Sequence, residues 1–112
     1  MLPHGSAARV DREKVEAYLL SETHPIGRMK AAYFRRLGFD RSRPEDLIRA
    51  LAELAVVGTV VDREETRYGI KYVVEGLLHG GRGTDLVRTV WLAETPDDPP
   101  RLITAYPAPS GG

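Results

Sequence analysis

The hydrophobic pattern of this chain changes its period at Gly58. Before that residue, apolar side chains recur every three or four positions, which is typical of helices that pack on a core. After it, β-branched and aromatic residues alternate with polar ones, which is typical of strands. A chain of 112 residues is large enough for one hydrophobic core and too short for two. The sequence therefore predicts a single α+β domain with helices first and strands second.

Three helices are predicted before Gly58. The first begins near Asp11, whose carboxylate can accept hydrogen bonds from the free amides of the first turn, and it ends before Pro25. The second extends from about residue 26 or 27 to residue 37, and Gly38 follows it as the C′ residue. The third begins at a Ser-x-x-Glu capping box in residues 42–45 and ends before Gly58.

Four strands are predicted after Gly58, at about residues 59–67, 70–79, 85–94 and 101–106. Short segments rich in Gly, Pro and Asp separate them, which indicates hairpin turns and an antiparallel meander. The predicted fold class is α+β, with three N-terminal helices packed on a four-stranded antiparallel meander sheet. Trp91 is central in its strand and is predicted to be a core residue. The domain covers residues 11–107, between a flexible arm (1–10) and a flexible tail (108–112).

The charge of the chain is balanced overall but uneven along its length. Sixteen Lys and Arg residues oppose sixteen Asp and Glu residues, which argues against strong, non-specific binding of nucleic acid. Residues 28–43 contain six cations and one carboxylate, a net charge of +5. This segment is either a phosphate-binding surface or the solvated face of a helix.

Several classes of protein are disfavoured by what the sequence lacks. There is no cysteine, so neither a disulfide framework nor a thiolate metal site can form. His4, His24 and His79 are too scattered along the chain to indicate a metal site, and no cofactor is predicted. No apolar run, such as residues 54–57, exceeds four residues, which is far below a membrane span, and the N-terminus does not read as a signal peptide. We therefore expect a soluble protein with no membrane partner.

Two motifs, one before the predicted sheet and one at its end, resemble those of a known family. Residues 24–39 read HPIGRMKAAYFRRLGF after the Leu pair at 19–20, and residues 100–107 read PRLITAYP after the Thr-Val-Trp at 89–91. In these motifs, over nearly its whole length, the chain resembles an uncharacterised bacterial domain family that has no established activity. The order of helices followed by four strands also resembles, in topology alone, the superfamily of small toxin ribonucleases that includes barnase, EndoU and RelE-like proteins.

The second resemblance implies a set of candidate site residues. Metal-free RNA cleavage requires a base for the 2′-hydroxyl proton, an acid for the leaving oxygen and cations for the charge on the phosphorane. His24 titrates near neutrality and is the predicted acid or base. The candidate catalytic residues are His24, Lys30, Thr104 and Tyr106. The candidate phosphate-binding residues are Arg28, Arg82, Arg88 and Arg101.

Each candidate also has a structural interpretation. His24 can simply cap the following helix, and Lys30 can lay its stem on the apolar stripe with its ammonium group in water. Arg88, in a strand with two partly apolar faces, requires an ion-pair partner, for which Asp85 and Glu75 are available. Residues 80–83, Gly-Gly-Arg-Gly, can cradle a phosphate with their amides or form a flexible hairpin.

The last predicted strand restricts which side chains can act together. Arg101 and Tyr106 are five residues apart, so they lie on opposite faces of a regular strand and can share a site only if the strand contains a bulge. Thr104 and Leu102 are predicted on the face of Tyr106, and Ile103 and Ala105 on that of Arg101. Cations and Pro in this strand are also typical of a protected sheet edge.

Two functions are consistent with these observations. The first is a metal-independent, toxin-type ribonuclease that acts on RNA in the cytoplasm, alone or delivered within a larger toxin, and is neutralised by a protein partner. The second is a non-enzymatic module whose sheet face or edge binds another protein. The motif residues at element ends and the basic segment 28–43 favour the ribonuclease, whereas electroneutrality favours the binding module.

Overall fold

A computed structural model describes residues 1–21, 23 and 27–109, without the side chains of residues 27–29. A 3₁₀ turn at Gly5–Ala7 precedes helix α1 (Arg12–Lys14), which continues as a π-helix (Val15–Leu19). Helices α2 (Gly27–Arg36) and α3 (Pro44–Val57) follow. The strands are β1 (Thr59–Thr66), β2 (Gly69–His79), β3 (Thr84–Ala93) and β4 (Arg101–Pro107). The predicted α+β class is confirmed, and every strand boundary lies within one residue of its prediction.

The four strands form one antiparallel meander in the order β1-β2-β3-β4. Its inner face is buried: Tyr72 pairs with Trp91, and Val74 pairs with Thr89. Helix α3 packs against β2 on this side through its own apolar stripe. The opposite face, called here the outer face, carries side chains that retain solvent contact. From β2 and β3 these include Lys71, Glu75, Leu77, Leu86, Arg88, Val90 and Leu92.

A buried hydrogen-bond chain joins Trp91 to the sheet. The indole Nε1–H donates to Thr89 Oγ1 at 2.7 Å, and the Thr89 hydroxyl donates to the carbonyl oxygen of Val74 at 3.1 Å. Both side chains are fully buried, which confirms Trp91 as a core residue. The indole N–H is a buried donor that requires an acceptor, and the Thr89 hydroxyl oxygen provides it.

Replacement of Thr89 by valine should therefore destabilise the fold by about 1–3 kcal/mol, because the shape is retained while a buried indole N–H loses its acceptor. Urea denaturation of the wild type and of Thr89→Val measures the effect. Thr59→Val, on an exposed position of β1, is the matched control and should stay within about 0.5 kcal/mol of the wild type. Equal urea midpoints for the two variants would show that the buried hydrogen bonds of Thr89 do not stabilise the fold.

Helix α2 ends where the sequence predicts. Gly38 has φ of 103°, a left-handed conformation that L side chains rarely adopt. Its amide donates to the Arg35 carbonyl at 2.9 Å, and the Phe39 amide donates to the Phe34 carbonyl at 3.0 Å. These two bonds define a Schellman motif. The prediction of Gly38 as the C′ residue is confirmed.

The helix starts differ from their predictions in detail. Asp11 is the N-cap of α1, but its side chain makes no capping hydrogen bond. The capping box predicted at residues 42–45 is wrong, since the N-cap of α3 is Arg43 and no side chain caps it. Instead, Asp40 accepts the Ser42 amide at 3.0 Å, which lowers the pKa of Asp40. Pro44 occupies the first helical position, where no amide hydrogen is needed.

The segment predicted as an N-terminal arm is in contact with the domain. Leu2 is buried in the core. The Arg9 amide donates to the Pro100 carbonyl and the Leu102 amide donates to the Arg9 carbonyl, both at 2.9 Å, so Arg9 bridges the start of β4. This contact satisfies part of the open edge of β4. No helix within residues 1–21, 23 and 27–109 combines the length and apolarity needed to cross a membrane.

Candidate functional site

Strand β4 contains a bulge. Thr104 pairs with Val90 and Leu102 pairs with Trp91, so Ile103 is an extra residue in the ladder. Arg101 pairs with Leu92 and Tyr106 pairs with Arg88, and both of these β3 partners lie on the outer face. Arg101 and Tyr106 therefore share one face, which a regular strand would not allow.

The bulge also corrects two facial assignments made from the sequence. Leu102 is buried opposite Trp91 on the inner face, so it does not share the face of Tyr106. Ala105 is buried opposite Thr89, so it does not share the face of Arg101. The regular-strand assignment fails because the extra residue reverses the alternation between the two ends of β4.

Lys30 of α2 is held against β4. Its ammonium group donates to Thr104 Oγ1 at 2.6 Å, and Nζ lies 5.3 Å from the centroid of the Tyr18 ring and 5.9 Å from that of Tyr106. Within the described part of the chain, no carboxylate pairs with Lys30. The predicted snorkelling interpretation is therefore incomplete, because this ammonium group contacts a hydroxyl and two ring faces rather than water alone.

Arg88 lies on the other side of Tyr106. Its Nε donates to Glu75 Oε2 at 2.9 Å. Of the two predicted ion-pair partners, Asp85 and Glu75, the structure therefore selects Glu75. This hydrogen bond raises the pKa of Arg88. Side-chain exposures of 33% for Arg88 and 26% for Glu75 leave the pair accessible to a ligand. Glu75, Arg88 and Tyr106 form one cross-strand row of the outer face.

These contacts define the Lys30–Tyr106 cluster, which consists of Tyr18, Lys30, Arg88, Thr104 and Tyr106. Tyr106 is its centre, because its ring centroid lies 5.9 Å from Lys30 Nζ and it pairs with Arg88 across the β3–β4 ladder. Two cations beside two hydroxyl groups can bind a phosphate through charge-assisted hydrogen bonds. They can also stabilise negative charge that develops on such a group.

Sequence reasoning did not assign a site role to Tyr18. Its ring is half-buried, and the ammonium groups of Lys14 and Lys30 lie 5.5 and 5.3 Å from the ring centroid. Lys14, four residues before Tyr18, is a local signal of such stacking. Nothing local indicates Lys30, since that contact depends on the tertiary fold.

Arg82 and Arg101 do not join the cluster. His24 lies outside the described residues, and so does the side chain of Arg28. Arg82 is exposed in the β2–β3 turn, where its amide donates to the Leu37 carbonyl at 3.0 Å. That turn is at the other end of α2 from Lys30, roughly 10 Å along the helix axis. Arg101 shares the outer face with the cluster but lies further along β4.

The basic segment 28–43 extends over α2 and the turn that follows it. Some of its cations have partners within the chain: Arg36 lies 5.8 Å from the Tyr33 ring centroid, and Arg43 pairs with Asp46 at 3.4 Å. A phosphate-binding role for this segment stays a prediction. Among the described residues, no three His, Asp or Glu side chains lie together in a way that could hold a metal ion.

Comparison with known proteins identifies the family. The profile of a domain of unknown function (DUF6883) matches residues 1–109, and the chain belongs to this family. The predicted resemblance to an uncharacterised domain family is thereby confirmed. No curated protein matches the chain.

The fold also occurs in a protein of known structure. A chain of the contact-dependent growth inhibition toxin–immunity protein complex from Klebsiella pneumoniae 342 superposes with a TM-score of 0.70 at 20% sequence identity. The match covers 88% of this chain and 97% of that one. At this identity the likeness shows a common fold and no more.

Proposed function

We propose that this member of the family is a metal-independent, toxin-type ribonuclease whose active site is the Lys30–Tyr106 cluster. The observation that carries the proposal is the 2.6 Å hydrogen bond between Lys30 and Thr104, because it fixes a helix-borne ammonium group beside Tyr106 and Arg88 on the sheet. The Klebsiella pneumoniae 342 structure that has this fold is a complex of a toxin with its immunity protein, and this supports the toxin context.

The reaction uses the RNA as its own nucleophile. The 2′-oxygen attacks the adjacent phosphorus, and the bond from phosphorus to the 5′-oxygen of the next nucleotide breaks. The products are a 2′,3′-cyclic phosphate and a free 5′-hydroxyl. A base takes the 2′-hydroxyl proton and an acid gives a proton to the departing oxygen. Lys30 and Arg88 stabilise the charge on the non-bridging oxygens of the phosphorane.

The proton carriers are proposed from the chemistry of these side chains. Tyr106 is the proposed acid, because it pairs with Arg88 across the β3–β4 ladder and its hydroxyl has a proton that can pass to the leaving oxygen. Lysine only donates hydrogen bonds, so Thr104 accepts from Lys30 and two further ammonium hydrogens can bind phosphate. Thr104 is a positioning residue, and His24 is the proposed base because imidazole titrates near neutrality.

Expression and cleavage assays test this proposal. We expect induced expression to arrest growth, and the purified protein to cleave RNA in the presence of a chelator, leaving cyclic phosphate ends. A substrate with a 2′-deoxy group at the cleaved nucleotide should stay intact. His24→Ala and Tyr106→Phe should each slow cleavage by roughly 100-fold or more with an unchanged melting temperature. Harmless expression of a folded protein that leaves RNA intact would refute the proposal.

A protein-binding function is the second candidate, and one surface favours it. Val57, Val61, Leu77 and Leu86 line one depression at an end of the sheet, with exposures of 69%, 43%, 52% and 40%. Exposed apolar side chains of this size, grouped together, are typical of protein interfaces. The same surface fits the neutralising protein that a toxin requires. If the protein is folded, harmless and inactive on RNA, this binding role becomes the better proposal.

A further inference from the structure

A groove of about 550 Å³ lies on the outer face, between the β1–β2 turn and the start of β4. Val90, Leu92 and Ile103 form its apolar floor. Ile103 is the extra residue of the β4 bulge, so the irregularity that places Arg101 and Tyr106 on one face also supplies part of this floor. An apolar groove floor of this kind can contact the face of an aromatic ligand.

Tyr68 forms one wall of the groove. It lies in the turn between β1 and β2 and is 71% exposed. The Arg67 guanidinium is 6.0 Å from the ring centroid. A solvent-exposed aromatic ring beside an arginine can stack on the face of a nucleobase.

The rim of the groove is positively charged, although the chain is neutral overall. Arg67, Lys71 and Arg101 line it, and none of its lining residues among those the structure describes is a carboxylate. Lys71 pairs with Glu64 at 3.3 Å, whereas the Arg101 guanidinium has no side-chain partner among the residues that the structure describes. An apolar floor with a cationic rim matches a ligand that has an aromatic body and an anionic group, as a nucleotide has.

The groove and the Lys30–Tyr106 cluster lie on one continuous surface. Tyr106 faces Arg88 and Arg101 faces Leu92, and four residues along β3 correspond to about 13 Å. Val90 lies between these positions and carries no charge. A short oligonucleotide can therefore lie along β3 and β4 with one phosphate at the cluster and a neighbouring base in the groove.

We propose that this groove is a base-binding subsite for single-stranded RNA: Tyr68 stacks on an unpaired base near the cleaved phosphate, and Arg101 binds the adjoining phosphate. The proposal rests on the proposed function for the identity of the ligand. A paired base does not present its face to a stacking ring. The subsite thus restricts the substrate to loops, ends and other single-stranded segments.

Binding of a non-cleavable ligand tests the subsite without requiring catalysis. The probe is a fluorescent single-stranded RNA whose 2′-hydroxyls are methylated, measured by anisotropy. Tyr68→Ala should weaken its binding roughly 5- to 100-fold, whereas Tyr68→Phe should bind as the wild type does. Arg101→Ala should weaken binding. It should also reduce the slope of log K against log salt concentration by about 1, which corresponds to the loss of one phosphate contact. Arg49→Ala is the matched control, because Arg49 is 76% exposed on α3, which packs against the inner face.

The outcomes separate this proposal from the proposed function. If Tyr68→Ala weakens binding while no RNA is cleaved by the wild type, the subsite stands and the ribonuclease proposal fails. If the wild type cleaves RNA and Tyr68→Ala binds the probe as well as the wild type does, the subsite is refuted alone. A folded wild type that binds no single strand, or that binds a duplex of the same sequence equally well, also overturns the subsite.

Discussion

Replacement of Lys30 by methionine is expected to slow RNA cleavage by about 100- to 1,000-fold, which is the usual effect of removing one preorganised donor from a charged transition state. Methionine retains the length and apolar stem of the lysine, so the apolar contacts of this side chain are preserved. The ammonium group that lies 2.6 Å from Thr104 and 5.9 Å from the Tyr106 ring is lost. Single-turnover cleavage rates measure the effect, and thermal melts check the fold.

Lys14 provides a matched control for this prediction. Its Nζ is 5.5 Å from the same Tyr18 ring, but no contact joins it to Thr104 or Tyr106 within the described residues. Lys14→Met should therefore cleave at nearly the wild-type rate. If Lys14→Met loses as much activity as Lys30→Met, general attraction of RNA explains the effect and the cluster does not. Wild-type cleavage by Lys30→Met would exclude the cluster directly.

Thr104 tests whether the position of the ammonium group matters. Thr104→Val removes the acceptor and should lower kcat with little change in KM, because the charge remains but is no longer fixed. Thr104→Ser restores an acceptor and should recover most of the rate. A residue that only stabilised the fold would not show this pattern, since serine and valine would then differ in melting temperature rather than in kcat.

The parts of the fold that follow from local signals could be predicted from the sequence. Gly38 predicts the end of α2 because only a residue without a Cβ adopts its φ of 103° easily. The four strands are delimited by turn residues, and their boundaries were predicted within one residue. Glu75 was named as a partner of Arg88 because a cation on a central strand needs a carboxylate nearby.

The parts that depend on long-range packing could not be predicted. The hydrogen bond between Lys30 and Thr104 joins residues 74 positions apart, and no local sequence pattern predicts it. The β4 bulge is a property of how Val90 and Trp91 pair with their neighbours, so strict alternation assigned Leu102 to the wrong face. The prediction of the capping box failed for a different reason. The Ser42 amide donates to the Asp40 carboxylate, and the N-cap of α3 is Arg43 rather than Ser42.

The β2–β3 turn leads to the second large effect. The Gly-Gly-Arg-Gly sequence of residues 80–83 predicts a flexible hairpin, yet the structure docks this turn on the end of α2. The Arg82 amide donates to the Leu37 carbonyl at 3.0 Å, and the Gly80 amide donates to the Gly83 carbonyl at 2.8 Å. A Cβ on Gly80 would overlap the Leu37 carbonyl oxygen. Both partners in this contact are backbone, so no side chain can move aside to make room.

Gly80→Ala is therefore expected to destabilise the protein by about 3 kcal/mol, at the upper end for an overpacked site. Gly81→Ala is the matched control one residue away. A Cβ there meets nothing within 4 Å, and its φ is not positive. This second substitution should be neutral or should stabilise by up to about 1 kcal/mol, since it restricts the unfolded chain. Urea midpoints of the two variants give the comparison.

The same substitution connects the turn to the site. Besides its buried packing through Phe34, helix α2 and the residue after it have three hydrogen bonds to the sheet and its turn within the described residues: Leu37 with Arg82, Tyr33 Oη with Asp85 Oδ2 at 2.6 Å, and Lys30 with Thr104. Loss of the first of these hydrogen bonds loosens the helix that carries Lys30, so Gly80→Ala should also slow cleavage under conditions where the variant is still folded. Equal urea midpoints for Gly80→Ala and Gly81→Ala would mean that the turn is the flexible hairpin that its composition indicates and that α2 is positioned by its other contacts.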